Sequence, residues 1–324
     1  MGILKLKPAC KDYLWGGNRL IREYQMEQTG DVLAEAWVLA CHKDGASVIT
    51  NGLYQGKTLA EYLDIKGKQI LGTNCERFED FPILTKLIDA ADSLSIQVHP
   101  DDAYASEKEG QYGKTEMWYI VDAGKDAFLY YGFNKEVSEE ELKHRIETDT
   151  LLEVLNAVPV KKGDCFFIEP GTIHAIGKNI LIAEIQQNSN VTYRVYDYGR
   201  VGADGKKREL HVDKAIDVIN RVPSAATKQG FPYLSDCQYF TVGKLQLDGN
   251  FVSEAKGIVS KESFLSVLIL DGEGEIICGD EILSYKKGDS FFLEADSGAY
   301  TIKGSCEALV SEVVSQGKGK SSLP

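Results

Sequence analysis

Lys161-Lys162-Gly163-Asp164-Cys165-Phe166-Phe167-Ile168-Glu169 returns 125 residues later as Lys286-Lys287-Gly288-Asp289-Ser290-Phe291-Phe292-Leu293-Glu294, with seven of nine positions identical. Each copy is a polar Lys-Gly-Asp turn running into an apolar strand, the pattern of antiparallel β structure. Upstream, Tyr119-Ile-Val-Asp-Ala-Gly124 corresponds to Leu268-Ile-Leu-Asp-Gly-Glu273, here 149 residues apart. The extra 24 residues of the first copy match the approximate length of a helical stretch over 138–157, so the first copy reads as the second with a helical insertion. Two related β units are expected, 1–230 with its helical segment at about 136–157, and 231–324.

Working outward, short β-branched or alternating runs bounded by Gly, Asp and Asn fall at 46–49, 93–98, 117–121, 128–131, 164–168, 180–185, 239–245, 264–270, 290–293 and 299–302. Their spacing suits an antiparallel sandwich or barrel. Four stretches read as helix. The segment 138–157 opens on the capping box Ser138-Glu-Glu-Glu141, 209–222 carries Val212, Ala215, Ile216 and Ile219 on one face, and shorter helices are expected at 19–24 and 58–63. The Gly, Lys and Ser tail 316–324 has little to bury and is expected to fray.

Composition excludes several classes. A chain of 324 residues, 43% hydrophobic, can build two cored domains. No apolar run reaches the ~18 residues of a membrane span, and charges occupy the start where a leader would be apolar, so a cytoplasmic protein with no membrane partner is expected. Seven widely spaced cysteines with no C-x-x-C pair suggest reduced thiols. A net charge of −13 argues against nucleic acid as a partner. A phosphate ligand would need a few local cations to hold it against that field.

After the first Lys-Gly-Asp strand the chain continues Pro170-Gly171-Thr172-Ile173-His174. Turn, strand and Pro-Gly-x-x-His resemble the second motif of the cupin superfamily, which implies a mainly β fold of two cupin-like jelly-roll barrel units with a helical insertion. In the second copy Ala299 and Tyr300 follow the turn, so that copy has no ligand and reads as degenerate. Gln97 and His99, two apart on one expected strand, share a face. Together with Glu116 and His174 they would offer two imidazoles, a carboxylate and an amide oxygen, a set that suits Zn2+ with a position left open. A single Q-x-H, or a His beside a turn, is by itself more often structural; the combination points to metal. His42, His144 and His211 read as surface residues.

Four segments, Ala34-Glu-Ala-Trp37, Ser95-Ile-Gln-Val-His-Pro-Asp101, Lys114-Thr-Glu-Met117 and Glu184-Ile-Gln-Gln-Asn-Ser-Asn-Val-Thr-Tyr-Arg-Val-Tyr-Asp197, resemble the type I mannose-6-phosphate isomerases. The resemblance implies zinc held by Gln97, His99, Glu116 and His174, and an active-site arginine at Arg194. It also implies substrate phosphate held by Lys86, Ser95 and Arg200. Aldose–ketose conversion then needs a general base, for which Lys114 is the favoured candidate and Asp197 a possible partner. The family commonly has proline where this chain has Thr115, which frees a backbone N–H and is expected to loosen the turn that carries Lys114. The implied partner is a small sugar phosphate and the implied assembly a monomer or homodimer. Two competing readings are a non-catalytic, metal-bearing cupin that binds a sugar phosphate and an iron-dependent cupin oxygenase. The first leaves Arg194 and Lys114 unexplained; the second does not call for Gln97 as a fourth ligand.

Overall fold

A computed structural model describes residues 2–202, 205–226 and 233–315. The tail 316–324 and the expected boundary at 230/231 lie outside the described residues. The chain is mainly β. One sheet has the strand order Cys165–Ile168, Glu116–Ala123, Ile180–Gln187, Ile83–Ala90, Glu35–Leu39, Ala9–Lys11. A second has the order Leu155–Pro159, Phe128–Phe133, His174–Ile176, Ile96–Val98, Tyr193–Tyr196. Trp118, Ile120, Phe166 and Ile182 of the first share an apolar cluster with Leu129 and Ile176 of the second, as alternate residues of two facing sheets do. A third, nine-stranded sheet gathers the strands after 232 and takes in Ile3–Lys7 and Val48–Ile49 from the start of the chain. No ladder among the described residues closes on itself.

The repeat holds at the level of individual hydrogen bonds. Cys165 pairs with Tyr119 and Ser290 with Leu268, the register that the two sequence offsets require. Gly163 N–H donates to the Ile120 carbonyl at 2.8 Å, and Gly288 N–H to that of Ile269 at 2.9 Å. Asp164 and Asp289 each cap their own turn through the N–H of Lys161 and Lys286. Both turn glycines have φ near +90°, which favours glycine over any residue with a Cβ. The insertion sits between Phe128–Phe133 and Leu155–Pro159, which pair with each other as the two arms of a hairpin.

The helices differ from expectation in extent. The helix expected over 138–157 spans only Glu139–Glu147, because Asp149 turns the chain at φ +56°. After a short turn at Leu151–Val154 the chain becomes strand. Ser138 caps the helix through Glu141 N–H, while the Glu141 carboxylate pairs with Lys135 and Arg145. The others are Val212–Val218, Arg19–Arg22 and Leu59–Lys66, the last with a reciprocal Thr58–Glu61 box. A helix at Asp102–Glu109, capped by Asp101, was not anticipated. The buried strand Ile83–Ala90 was missed as well, since Lys86 and Asp89 break its apolar pattern. Each is paired instead: Lys86 with Glu184, and Asp89 with the half-buried Arg19, from whose N and Nε it accepts. Among the described residues no helix is long and apolar enough to cross a membrane.

Candidate metal centre and cavity

Strand register assembles the site. His174 lies directly opposite Gln97, and Gln97 opposite Arg194, so three consecutive strands contribute a row on one face. His99 follows Gln97 two residues on, just beyond the end of Ile96–Val98. Glu116 comes from the other sheet, at the head of Glu116–Ala123 and opposite Ile168 and Gln186. The Pro170-Gly171 turn is seated by Gly171, whose N–H donates to the His99 carbonyl. A Cβ at Gly171 would lie 2.8 Å from the Val218 carbonyl oxygen, and φ is +83°.

His99, Glu116 and His174 are fully buried and bring ligand atoms within 4.8 Å of one another. His99 Nδ1 is 2.9 Å from the Val191 carbonyl and His174 Nδ1 2.8 Å from that of Thr172. A carbonyl only accepts, so both Nδ1 atoms carry the hydrogen and both Nε2 atoms turn bare lone pairs toward Glu116. Nε2 of His99 lies 3.3 Å from Oε1 of Glu116, and that of His174 4.0 Å from Oε2. Glu116 Oε2 is buried without a hydrogen-bond partner. The Gln97 amide is 3.5 Å from His174 Nε2, and a half-turn of that amide presents its oxygen to the same space.

Electrostatics suit a cation. Burial and then the Lys114 ammonium push His99 down to about 3, and burial lowers His174, so both imidazoles are neutral at physiological pH. Burial would raise Glu116, but the Lys114 ammonium outweighs it and holds the carboxyl well below its usual range. Lys114 Nζ is in close contact with Glu116 Oε1 and 3.2 Å from His99 Nε2. An ionised carboxylate, two neutral imidazoles aimed inward and one orphaned oxygen form a donor set that fits a divalent metal.

Beside these ligands lies a cavity of about 270 Å³ lined by Gln97, Lys114, Arg194, Ser95, Lys86 and Arg208, among others. Arg194 donates from Nε to Ser95 Oγ at 3.3 Å and from Nη1 to the Glu209 carbonyl at 2.8 Å. Its backbone is held by His211, whose N–H and Nδ1 both bond it. Lys86 is on an interior strand, 4% exposed, between Glu184 at 3.0 Å and Glu35 at 3.7 Å. Arg200 does not line the cavity. Asp197 and the Ser93 carbonyl take up its guanidinium, which lies over the Tyr198 ring. Asp197 also holds Arg208 at 2.8 Å, and although burial would raise its carboxyl, these guanidinium bonds keep it below its ordinary value. It is thus an anchor for two arginines and poorly suited to accept a proton.

Sequence reasoning missed Arg208, Glu35 and Glu184 as cavity groups. A signal for the first existed in Lys206-Lys207-Arg208, three cations together in an acidic chain. His42, expected at the surface, is 7% exposed, bonded by Asp44 N–H and packed edge-on against Trp37. Thr115 does not loosen its turn, because its N–H donates to Gln187 Oε1 at 2.9 Å. A larger cleft of about 860 Å³, bordered by His42, Arg77, Tyr112 and Tyr239, holds none of the ligand atoms. The smaller cavity is where ligating and charged groups converge.

A mainly β protein with a buried metal-ligand cluster opening onto a cavity rich in cations is, as a class, a metal-binding protein for an anionic ligand. The family model for the catalytic domain of type I phosphomannose isomerase matches residues 3–124, and that for the mannose-6-phosphate isomerase cupin domain matches 231–313. The chain is 40% identical to mannose-6-phosphate isomerase ManA of Bacillus subtilis over 96% of this chain and 98% of that one. It is 39% identical to mannose-6-phosphate isomerase of Streptococcus mutans over 95% and 97%. The chain belongs to the type I mannose-6-phosphate isomerase family. The crystal structure of the Bacillus subtilis mannose 6-phosphate isomerase superposes with a TM-score of 0.87 at 36% identity, covering 96% of this chain and 99% of that one. A mannose 6-phosphate isomerase bound with zinc and yttrium, 18% identical, shares the fold at a TM-score of 0.75, over 97% of this chain and 100% of that one.

Proposed function

We propose that the chain interconverts mannose 6-phosphate and fructose 6-phosphate through an enediol(ate), using zinc, as a cytoplasmic enzyme. The observation that carries this is the His174–Gln97–Arg194 row facing Glu116, which sets a cation site and a guanidinium side by side on one cavity wall. The names of the relatives supply the substrate. We read the architecture as two jelly-roll units, 1–230 catalytic and 231–324 a degenerate copy. In the register of the repeat, Leu265 stands where Glu116 does and Ala299 where His174 does, so the second unit lacks two of the ligands.

His99, Glu116, His174 and the Gln97 amide would hold the ion; two nitrogens, a carboxylate and an amide fit zinc. Bound there, zinc supplies Lewis-acid polarisation of a substrate oxygen. The chain's own residues do the rest. Lys114, reaching into the cavity beside Glu116, acts as the neutral amine: it takes the proton from one of C1 and C2 and returns it to the other, while a second proton passes between O1 and O2. Arg194 stabilises the negative charge that grows on the O1/O2 edge, with its planar donors fixed by Ser95 and the Glu209 carbonyl. Lys86 and Ser95 meet the phosphate together with Arg208, and Arg200 contributes by sharing Asp197 with Arg208. Fructose 6-phosphate formed from mannose 6-phosphate, lost with a chelator and restored by zinc, tests the reading. Tight binding of the sugar phosphate with no turnover in the zinc-loaded protein would favour a binding protein instead.

A further inference from the structure

Asp102 stands in the first turn of Asp102–Glu109, yet its carboxylate is turned to other partners. Oδ1 accepts from Gly113 N–H at 2.8 Å and from Gln187 Nε2 at 2.8 Å, and Oδ2 accepts from the Tyr239 hydroxyl at 2.6 Å. Gln187, 2% exposed, accepts from Thr115 N–H through Oε1 at 2.9 Å and donates its own N–H to the Thr115 carbonyl at 3.1 Å. Lys114 N–H donates to the Pro100 carbonyl at 3.0 Å, one residue past His99. Every backbone N–H from Gly113 to Thr115 is therefore tied, and Lys114 and Glu116 are carried on the tied segment. Neither Asp102, Gln187 nor Tyr239 lines the cavity. Tyr239 comes from the second unit, in the turn between Tyr233–Asp236 and Thr241–Asp248.

We propose that Tyr239, Asp102 and Gln187 are positioning residues for Lys114 and Glu116. The second unit, which gives the site no ligand, takes part in catalysis by fixing the backbone under the base. This rests on the isomerase reading of the site. A side chain held by one flexible stem is only as well aimed as its backbone, and a displacement of about 1 Å at a reacting group costs up to about a hundredfold in rate. Among the described residues the phenol–carboxylate bond is the single hydrogen bond from the second unit to this network, so Tyr239→Phe removes the coupling and little else.

The test combines kinetics in saturating zinc with amide exchange. Tyr239→Phe should lower kcat by about tenfold and Asp102→Ala by about a hundredfold, with KM within about twofold and metal content unchanged. Asp102→Asn should recover to within about fivefold of the original, since its amide oxygen still accepts from Gly113 and Gln187 while its nitrogen donates to the phenol oxygen. Tyr239→Phe placed on Asp102→Ala should cost nothing further, because the path is already cut. Amide exchange across 113–115 should quicken by about tenfold in Tyr239→Phe and Asp102→Ala, with the Glu116–Ala123 strand unchanged. Unaltered exchange at 113–115, or a kcat loss that matches only the fraction of unfolded or metal-free protein, overturns the proposal. An original chain without turnover overturns the isomerase reading alone; the exchange comparison then still decides the clamp.

Discussion

Arg194 is half-buried, and burial, followed by the nearby Arg208 charge, makes its cation less favourable than in water. A guanidinium kept in such a place is poised to be used on an anion. Arg194→Ala should lower kcat by at least about 10²-fold with little change in KM, because the charge it meets is larger in the transition state than in the ground state. Lys at 194 should recover little, lacking the planar pair of donors. Steady-state kinetics on the two variants decide it: intact kcat with weakened binding would remove Arg194 from catalysis. For the metal, the purified protein should carry about one ion per chain by elemental analysis. The His99→Ala, His174→Ala double variant should carry essentially none, and full occupancy there would end the assignment. These residues were legible because their signals are local. Gln97 and His99 alternate on a strand, and His174 follows a Pro-Gly turn. Glu35 and Glu184 were not, since their grouping around Lys86 comes from strand pairing between segments far apart in sequence, Lys86 to Glu184 and Glu35 to Ile88.

At the scale of elements, the Lys-Gly-Asp turn was the most readable feature, and its two copies fold alike down to single bonds. Strands whose two faces differ were found from alternation. Ile83–Ala90 was overlooked because Lys86 and Asp89 interrupt its apolar run, although all eight of its residues are buried, charged ones included. The over-long helix had the opposite cause: Leu151, Leu152 and Leu155 continue the apolar spacing of Glu139–Glu147, although Asp149 has already turned the chain. The paired turns allow an internal comparison. Gly163→Ala and Gly288→Ala should each cost about 1–3 kcal/mol from the positive φ alone. The added methyl at 163 meets only the Tyr119 hydroxyl, at 3.9 Å, whereas at 288 it would lie 3.0 Å from Cδ1 of Tyr24. Gly288→Ala should therefore be the more damaging in urea unfolding, and equal midpoints would contradict the steric argument.

For the molecule as a whole, the strands after 232 are joined to the earlier part of the chain by a shared core and by polar contacts, among them a buried one at Glu307. Leu87, Met117 and Ala183 share an apolar cluster with Leu268, Phe292 and Leu309. The chain's first strand completes the join, with Ile3 paired to Leu293. At the junction, Glu307 accepts a close hydrogen bond from the Tyr119 hydroxyl and lies 2.9 Å from Lys244 and 3.4 Å from Lys162. Burial would raise the Glu307 carboxyl, but the bonds from Tyr119 and Lys244 outweigh it and hold it below the ordinary glutamate value of 4.5. A depressed carboxyl stabilises the fold fully above its unfolded pKa and loses that contribution as pH falls through the folded value. Glu307→Gln should thus cost about 1–3 kcal/mol at pH 7, where a charged acceptor is lost and Lys244 is left without its nearest anion. The gap between the two proteins should shrink as the pH drops below about 4.5, since the original carboxylate is then being neutralised too. Urea unfolding of both proteins at pH 7 and at successively lower pH, with chelator present throughout so that metal release cancels, measures that gap. A difference that stays constant down to the lowest pH would mean that Glu307 holds this junction together by shape and hydrogen bonding, not by its charge.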